Sequence, residues 1–433
     1  MQLALHLSLV VVFAGIASST PALDSTLQNG LDFTSDILKK KIPDTVRNGL
    51  DLTDNFLKPK STDKTSTKKV PEMIQANGYP VESHYITTSD GYILNVHRIP
   101  HGKNGRNTGK VAYLQHGILS SSTDWILAGP GKGLAYILAD EGYDVWMGNV
   151  RGNAYSRNHT TLNPDNQSDF WQFSWHEIGT IDMPEIIDYV IARTRVDGVY
   201  YVGHSQGTTV FYVMASFKPE YNQKIKAQVS LAPIGFMNHM TSPLLRIIGM
   251  WEKSLGVLLD LIGKDEFLPK DGFMSMLSSA VCTEGIGSLL CGNALFAICG
   301  FSPKQMNVTL IPELVAHYPA GAATKQLLHY GQEMNSGRFC QYNMGVIGNT
   351  RKYGSMVPPD YNLDEITAPV YLIYSENDWL AAVKDVDRLA RVLGNLKEKI
   401  LVSDPKWNHL DFTFGIDAPR LVYRKVLDIF KNH

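Results

Sequence analysis

The chain has 433 residues, of which 44% are hydrophobic and 19% charged, and its formal net charge is −2. This is the composition of a globular protein with a large core, and it excludes a disordered or fibrous chain. A balance so close to neutral gives no electrostatic support for nucleic-acid binding.

Residues Leu3 to Ile16 form an apolar run too short to cross a bilayer as a helix. Small residues follow at Ala17, Ser18 and Ser19, so residues 1–19 read as a secretory signal peptide, although the first residues carry no Lys or Arg. No later stretch reads as a transmembrane helix. A secreted or lysosomal route makes Cys282, Cys291, Cys299 and Cys340 disulfide candidates, with three connectivities if all pair. The chain has no C-x-x-C pair, so neither a metal site nor a redox site is expected. Sequons at Asn158, Asn166 and Asn307 are expected glycosylation acceptors on the same route.

Residues 20–69 form a polar extension in which Asn29–Lys41 is repeated at Asn48–Lys60, and Ser61–Lys69 is rich in Lys, Thr and Ser. It reads as a propeptide or flexible extension. The sharper alternative is a pair of weak amphipathic segments that touch lipid or the mouth of the folded domain. The folded domain is expected from residue 70. Pro71–Gly78 reads as a helix, and Val81–Thr88 and Tyr92–Ile99 as a strand pair about the turn Ser89-Asp90-Gly91, at one edge of a sheet.

Continuous apolar strands then alternate with helices. Val111–Gln115, Tyr143–Met147, Val199–Val202 and Ala227–Leu231 read as buried strands, and Leu134–Asp140 and Met183–Arg193 as helices. Asp182 is expected to cap the second helix, with Pro184 and Glu185 in its first turn. This alternation predicts an α/β fold with a mostly parallel, doubly wound sheet over residues 70–234 and 366–433. Residues 235–365 lose the rhythm, carry helical patches such as Leu244–Trp251, and read as an inserted helical cap. Strands return at Pro369–Tyr374 and Lys399–Val402, and Pro419–Lys431 closes the domain as a helix.

One pentapeptide, Gly203-His204-Ser205-Gln206-Gly207, joins the strand ending at Val202 to a helix through Thr208–Ala215. G-x-S-x-G between a strand and a helix holds a serine hydroxyl at the tip of a sharp turn, where it can act as a nucleophile. A serine needs a base to take its proton, and the base needs an acid to orient it. Asp378, after the strand Pro369–Tyr374, is the expected acid, in preference to Glu376 in the same turn. His409, after the last strand, is the expected base; His433 is terminal and His329 falls in the cap. An oxyanion would need two N–H donors, assigned to Gln206 and to Ile118 in the loop His116-Gly117-Ile118. His204 reads as a packing residue rather than a second base.

These stretches, with Gly78-Tyr79-Pro80, Asp90–Leu94, Gly142–Asn149, Arg151-Gly152-Asn153 and Asn408–Phe412, resemble the acid lipase family of α/β-hydrolases over roughly residues 70–430. The resemblance implies an α/β-hydrolase fold, a triad of Ser205, Asp378 and His409, and oxyanion donors at Ile118 and Gln206. It also implies a Cys282–Cys291 bridge and a free Cys299; Cys340 and the N-terminal repeat depart from the family pattern. The expected function is hydrolysis of a triacylglycerol or sterol ester through an acyl-enzyme, without a cofactor, with transient contact at a lipid droplet or micelle surface. A short-chain esterase and a non-catalytic lipid carrier on the same fold are the alternatives.

Overall fold

The computed structural model describes residues 68–242, 246, 265–267, 299–300 and 302–433. The signal peptide, nearly all of the polar extension, Cys282 and Cys291 lie outside the described residues, as does the helical patch Leu244–Trp251 apart from Arg246. Eight strands build one sheet: β1 (Glu82–Thr87), β2 (Ile93–Ile99), β3 (Val111–Gln115), β4 (Asp144–Met147), β5 (Val199–His204), β6 (Ile225–Leu231), β7 (Val370–Tyr374) and β8 (Leu396–Leu401). Their spatial order is β1-β2-β4-β3-β5-β6-β7-β8. β2 runs antiparallel to β1 and β4, and every other neighbouring pair is parallel.

Burial follows position in the sheet. β3, β4 and β5 are buried at every residue, as strands covered on both faces must be. β1, at an edge, alternates buried and exposed residues. β8, at the other edge, exposes Lys397, Glu398 and Lys399, charges that discourage pairing with another chain. That polar start hides the first three residues of β8 from a search for apolar runs, so the strand begins earlier than the expected Lys399.

Helices cover both faces. Among the described residues, the helices of seven residues or more are, in chain order, α1 (Val70–Ala76), α2 (Leu134–Asp140), α3 (Met183–Thr194) and α4 (Gln206–Phe217), then α5 (Ile311–His317), α6 (Thr324–Ser336) and α7 (Gly345–Tyr353) between β6 and β7, and finally α8 (Val383–Val392) and α9 (Arg424–Lys431). Among the described residues no strand of the sheet falls between Leu231 and Val370. The closing segment is helical over the expected Pro419–Lys431, its first part, Pro419–Tyr423, being a wider helical turn that runs on into α9.

Asp182 does not cap α3. It already has helical backbone angles, as the last residue of a wide helical turn over Ile178–Asp182, and its side chain makes no cap hydrogen bond. Its buried carboxylate instead accepts from Arg151 Nε at 2.9 Å and from Nη2 at 2.5 Å. The same guanidinium donates to both Asp90 oxygens, at 2.5 and 3.0 Å, and lies over the Tyr92 ring at 4.0 Å. Arg151 is 1% exposed, so the loss of its hydration is offset only by this planar, paired geometry. The cluster ties the segment after β4 to the β1–β2 turn and to the entry of α3.

Removal of the guanidinium leaves the Asp182 carboxyl in the interior without its ion-pair partner. Arg151→Met is expected to lower folding stability by about 3–5 kcal/mol, and Arg151→Lys by a large part of that, since an ammonium cannot bridge both carboxylates. Urea melts of the two variants against the parent test this; a loss below about 1 kcal/mol for Arg151→Met would show that the cluster does not hold these segments.

Candidate active site

The chain reverses direction across the sheet at β3. From β3 it moves to β4 on one side and then to β5 on the other, so a crevice opens at the carboxyl ends of β3 and β5. That switch point is where open α/β sheets place their sites. Gln115 lies in register with Gly203, which sets the loop after β3 beside the turn after β5.

Ser205 occupies that turn with φ 53° and ψ −119°, a conformation that side-chain-bearing residues rarely adopt. Such strain costs of order 1–3 kcal/mol and persists only where the surroundings over-determine it. Here they do. The Ser205 N–H donates to Leu231 O at 3.0 Å, and Ser205 O accepts from Thr208 N–H at 2.8 Å and the Thr208 hydroxyl at 2.7 Å. The flanking glycines are steric necessities: a Cβ on Gly203 would lie 2.5 Å from Gly207 O, and one on Gly207 would lie 2.2 Å from Gln115 O.

The expected acid and base meet. His409 Nδ1 lies 2.8 Å from Asp378 Oδ2 and 3.0 Å from Oδ1. Asp378 Oδ1 also accepts the N–H groups of Leu380 and Ala381, both at 2.9 Å, which fixes the carboxylate in place. Because an ionised carboxylate only accepts, His409 Nδ1 is the donor in this pair, and Nε2 is the nitrogen left to face other groups. Glu376 is exposed, whereas Asp378 is 3% exposed, so the geometry separates the two rivals. His329 is stacked on Trp175 at 3.7 Å and donates to Cys340 O, and His433 pairs with Tyr371 at the surface.

Backbone and neighbours hold the histidine. Its N–H donates to Cys299 O at 3.3 Å, and its carbonyl accepts from His204 Nε2 at 2.9 Å. Burial, with the neighbouring His409 adding to it, pushes His204 down to about 3, so it stays neutral. His204 is thus a brace between the serine turn and the histidine loop. Asn408 shapes that loop, its Oδ1 accepting from the N–H groups of Leu410 and Asp411 and its Nδ2 donating to Gly300 O.

The loop after β3 approaches the serine closely: a Cβ on Gly117 would stand 3.1 Å from Ser205 Cβ. Among the described residues no backbone hydrogen bond takes up the Ile118 N–H. The Gln206 N–H opens α4, where no carbonyl lies one turn back to receive it. Leu119 is left-handed at φ 61°, and its carbonyl is held by Ala320 N–H at 2.8 Å. Behind the loop, His116 donates from Nδ1 to Gly117 O at 2.7 Å and accepts at Nε2 from Val150 N–H and Asn153 Nδ2. Asn149 links Ser122, Asn95 and Asn153 in the same layer.

Asp124 is a part of this support that sequence reasoning missed. Its buried carboxylate receives the Ser120 hydroxyl and the Gly117 N–H, so it grips the loop that faces Ser205. An acid between Thr123 and Trp125 carries no periodic or motif signal; only tertiary burial reveals it. The three sequons are placed differently: Asn158 and Asn166 are exposed, while Asn307 is half-buried and its Oδ1 accepts from Thr309 N–H and hydroxyl. Cys299 and Cys340 are buried free thiols.

Residues 70–129 match a family described as a partial alpha/beta-hydrolase lipase region, and residues 113–261 match the alpha/beta hydrolase fold. The chain is 46% identical to Lipase 3 of Drosophila melanogaster, across 84% of this chain and 92% of that one. It is 37% identical to the lysosomal acid lipase/cholesteryl ester hydrolase of Homo sapiens, across 86% and 93% of the two chains. It is 40% identical to the gastric triacylglycerol lipase of Rattus norvegicus, across 83% and 91%.

Burial lifts the Asp124 carboxyl to about 7, against hydrogen bonds that lower it. An unfolded aspartate releases its proton near pH ~4. Between about pH 4 and 7 the folded chain therefore keeps a proton that the unfolded chain has lost, and this group's contribution to stability weakens as pH rises. Asp124→Asn removes that titration. The gap in unfolding free energy between variant and parent is expected to move in the variant's favour from pH 4 to pH 7.5, by up to about 4 kcal/mol. Chemical melts at the two pH values measure it, and an unchanged gap would refute the assignment.

Proposed function

The chain belongs to the acid lipase family of α/β-hydrolases, and on that footing we propose that it hydrolyses lipid esters, triacylglycerol or sterol ester, with Ser205, His409 and Asp378 as its triad. The observation that carries the assignment is the 2.8 Å contact between His409 and Asp378 in the fold that strains Ser205 onto a turn tip. With Nδ1–H given to Asp378, His409 Nε2 is the free base that takes the Ser205 proton. The serine oxygen then attacks the ester carbonyl. The N–H groups of Ile118 and Gln206 receive the developing oxyanion. The tetrahedral intermediate collapses as His409 protonates the departing alcohol, and the acyl group stays on Ser205. Water, deprotonated by His409, repeats the attack and releases the fatty acid. Asp378 holds the imidazole in one tautomer and stabilises its cation throughout.

The remaining organisation follows the same reading. Residues 70–234 and 366–433 form the catalytic core, and residues 235–365 the cap over the acyl groove. Residues 1–19 direct the chain to the secretory route, to a lysosomal or extracellular destination, and are removed. Cys282 and Cys291 pair, and Asn158, Asn166 and Asn307 carry glycans. The enzyme meets its substrate transiently at a droplet or micelle surface. No helix among the described residues is long and apolar enough to cross a membrane.

Three measurements test this function. A fluorophosphonate is expected to label the native protein and to fail on folded Ser205→Ala; labelling of that variant would remove Ser205 as nucleophile. Asp378→Asn is expected to lower kcat by about three to four orders of magnitude, while Glu376→Gln leaves it within about twofold. On triolein, cholesteryl oleate and a soluble butyrate ester, the long-chain lipids are expected to be preferred. Preference for the soluble ester would make the protein a short-chain esterase, and no turnover of any of them would favour a carrier.

A further inference from the structure

One surface outside the triad has no role in the chemistry above and is built to be apolar. Ile347 is 78% exposed, Met356 70%, Val346 60%, Val357 55% and Met344 39%. Large exposed apolar side chains are otherwise scattered over the described surface, at Tyr85, Phe217, Val308, Val392, Leu401 and Ile416. Among the described residues they gather only between residues 344 and 357, and a gathered patch marks an interaction site where single exposed residues do not.

The patch is held rigidly. Asn349, 1% exposed, accepts from Met344 N–H at 2.8 Å and donates to Met356 O at 2.9 Å and to Asn343 Oδ1 at 2.8 Å. One buried amide thereby fastens the start of α7 to the turn that follows it. Tyr353 adds a second tie, its hydroxyl donating to Tyr342 O at 2.9 Å. Left-handed glycines, Gly345 at φ 75° and Gly354 at φ 69°, bracket the helix. A structure that spends a buried side chain on presenting Val346, Ile347, Met356 and Val357 to water has a use for them there.

Charge selects the occupant. Arg351 and Lys352 are exposed on the last turn of α7, and Arg351 follows Ile347 by four residues, on the same side of the helix. From Arg338 to Pro359 the chain has no Asp or Glu. Apolar tips beside exposed cations match a lipid surface with anionic headgroups. A second copy of the chain fits less well, because a twofold contact through this patch would set Arg351 and Lys352 against their own copies.

We propose that α7 and the turn through Val357 form a lipid-docking face that inserts Val346, Ile347, Met356 and Val357 into an anionic lipid–water interface while Arg351 and Lys352 meet its headgroups. The proposal rests on the reading that the substrate is a water-insoluble ester. Hydrolysis of such an ester releases fatty acid, whose carboxylate adds negative charge to that same surface. Docking through this face would hold the enzyme where its substrate lies.

The test uses the full-length protein and two surface variants, Ile347→Ser/Met356→Ser and Arg351→Gln/Lys352→Gln, with thermal melts to confirm an unchanged fold. Co-sedimentation is measured with vesicles of phosphatidylcholine alone and of phosphatidylcholine with an equal part of phosphatidylserine. Both variants are expected to bind the anionic vesicles roughly tenfold less than the parent. The charge variant keeps its weaker binding to neutral vesicles, whereas the apolar variant loses both. Turnover of a soluble butyrate ester stays unchanged, and turnover of emulsified triolein falls. Anionic-vesicle binding by both variants equal to the parent's overturns the docking face while leaving the hydrolase reading intact. Failure of the parent to hydrolyse either ester sinks that reading, and the vesicle result is still read by itself. A concentration-dependent dimer in sedimentation velocity, lost in the apolar variant and without any vesicle binding, would give the patch to a second copy and refute the proposal.

Discussion

The contact between two backbones at the carboxyl ends of β3 and β5 sets the rest of the site. Gly207 packs so close to Gln115 that any side chain there would collide with its carbonyl, and Gly203 packs as closely on Gly207. This approach forces the chain into a turn sharp enough to hold Ser205 at positive φ. It also brings Gly117 within contact of Ser205 Cβ. If that approach loosened, the serine would relax toward ordinary backbone angles and the two candidate oxyanion donors would part. The strain at Ser205 is therefore sustained by the parallel pairing on either side, where buried, fully hydrogen-bonded strands cannot yield.

The polar groups behind the site form a second layer that serves position. Asn149 and Asn153, with His116 between them and the loop, satisfy one another and the backbone around Gly117 and Ser120. Arg151, two residues from Asn149, anchors the same segment to Asp90 and Asp182. The stretch Gly148–Asn153 thus spends its side chains on fixing the loop that stands beside the serine. A buried network of this kind is costly if half satisfied and rigid if complete, and rigidity is what an oxyanion site needs.

Buried titratable groups act in opposing directions. Burial holds His97 and His116 near about 4 and His204 and His329 near about 3, so these side chains stay neutral in the fold. In the unfolded chain they take up protons below pH ~6.5, which weakens folding as pH falls. Burial lifts Asp124 and Asp411 to about 7, which weakens folding as pH rises across the same range. The two sets therefore act in opposite senses as pH changes. A neutral His204 places no positive charge beside His409.

Periodicity and motif spacing determined the α/β alternation, the strand pair at one edge, the serine turn and the chain order of the acid and base, because each is written in a local pattern of a few residues. Fully buried parallel strands announce themselves as apolar runs, and G-x-S-x-G announces a turn that only glycine permits. The edge strand β8 gave a weak signal, since its first residues are charged and exposed. Local pattern misassigned Asp182, because an acid before Met-Pro-Glu is a cap by every short-range rule, and only the distant Arg151 explains its place. Asp124 left no signal, and the hub role of Asn149, though its stretch carries the family resemblance, is not written locally, for their partners lie far away in sequence or take no fixed spacing. The turn already favoured Asp378 over Glu376, and the fold supplies the physical reason: one carboxylate is buried against His409 and the other is exposed. Sequence records what neighbouring residues can do to one another; burial, and the pairings it enforces, is decided only when the sheet brings distant segments together.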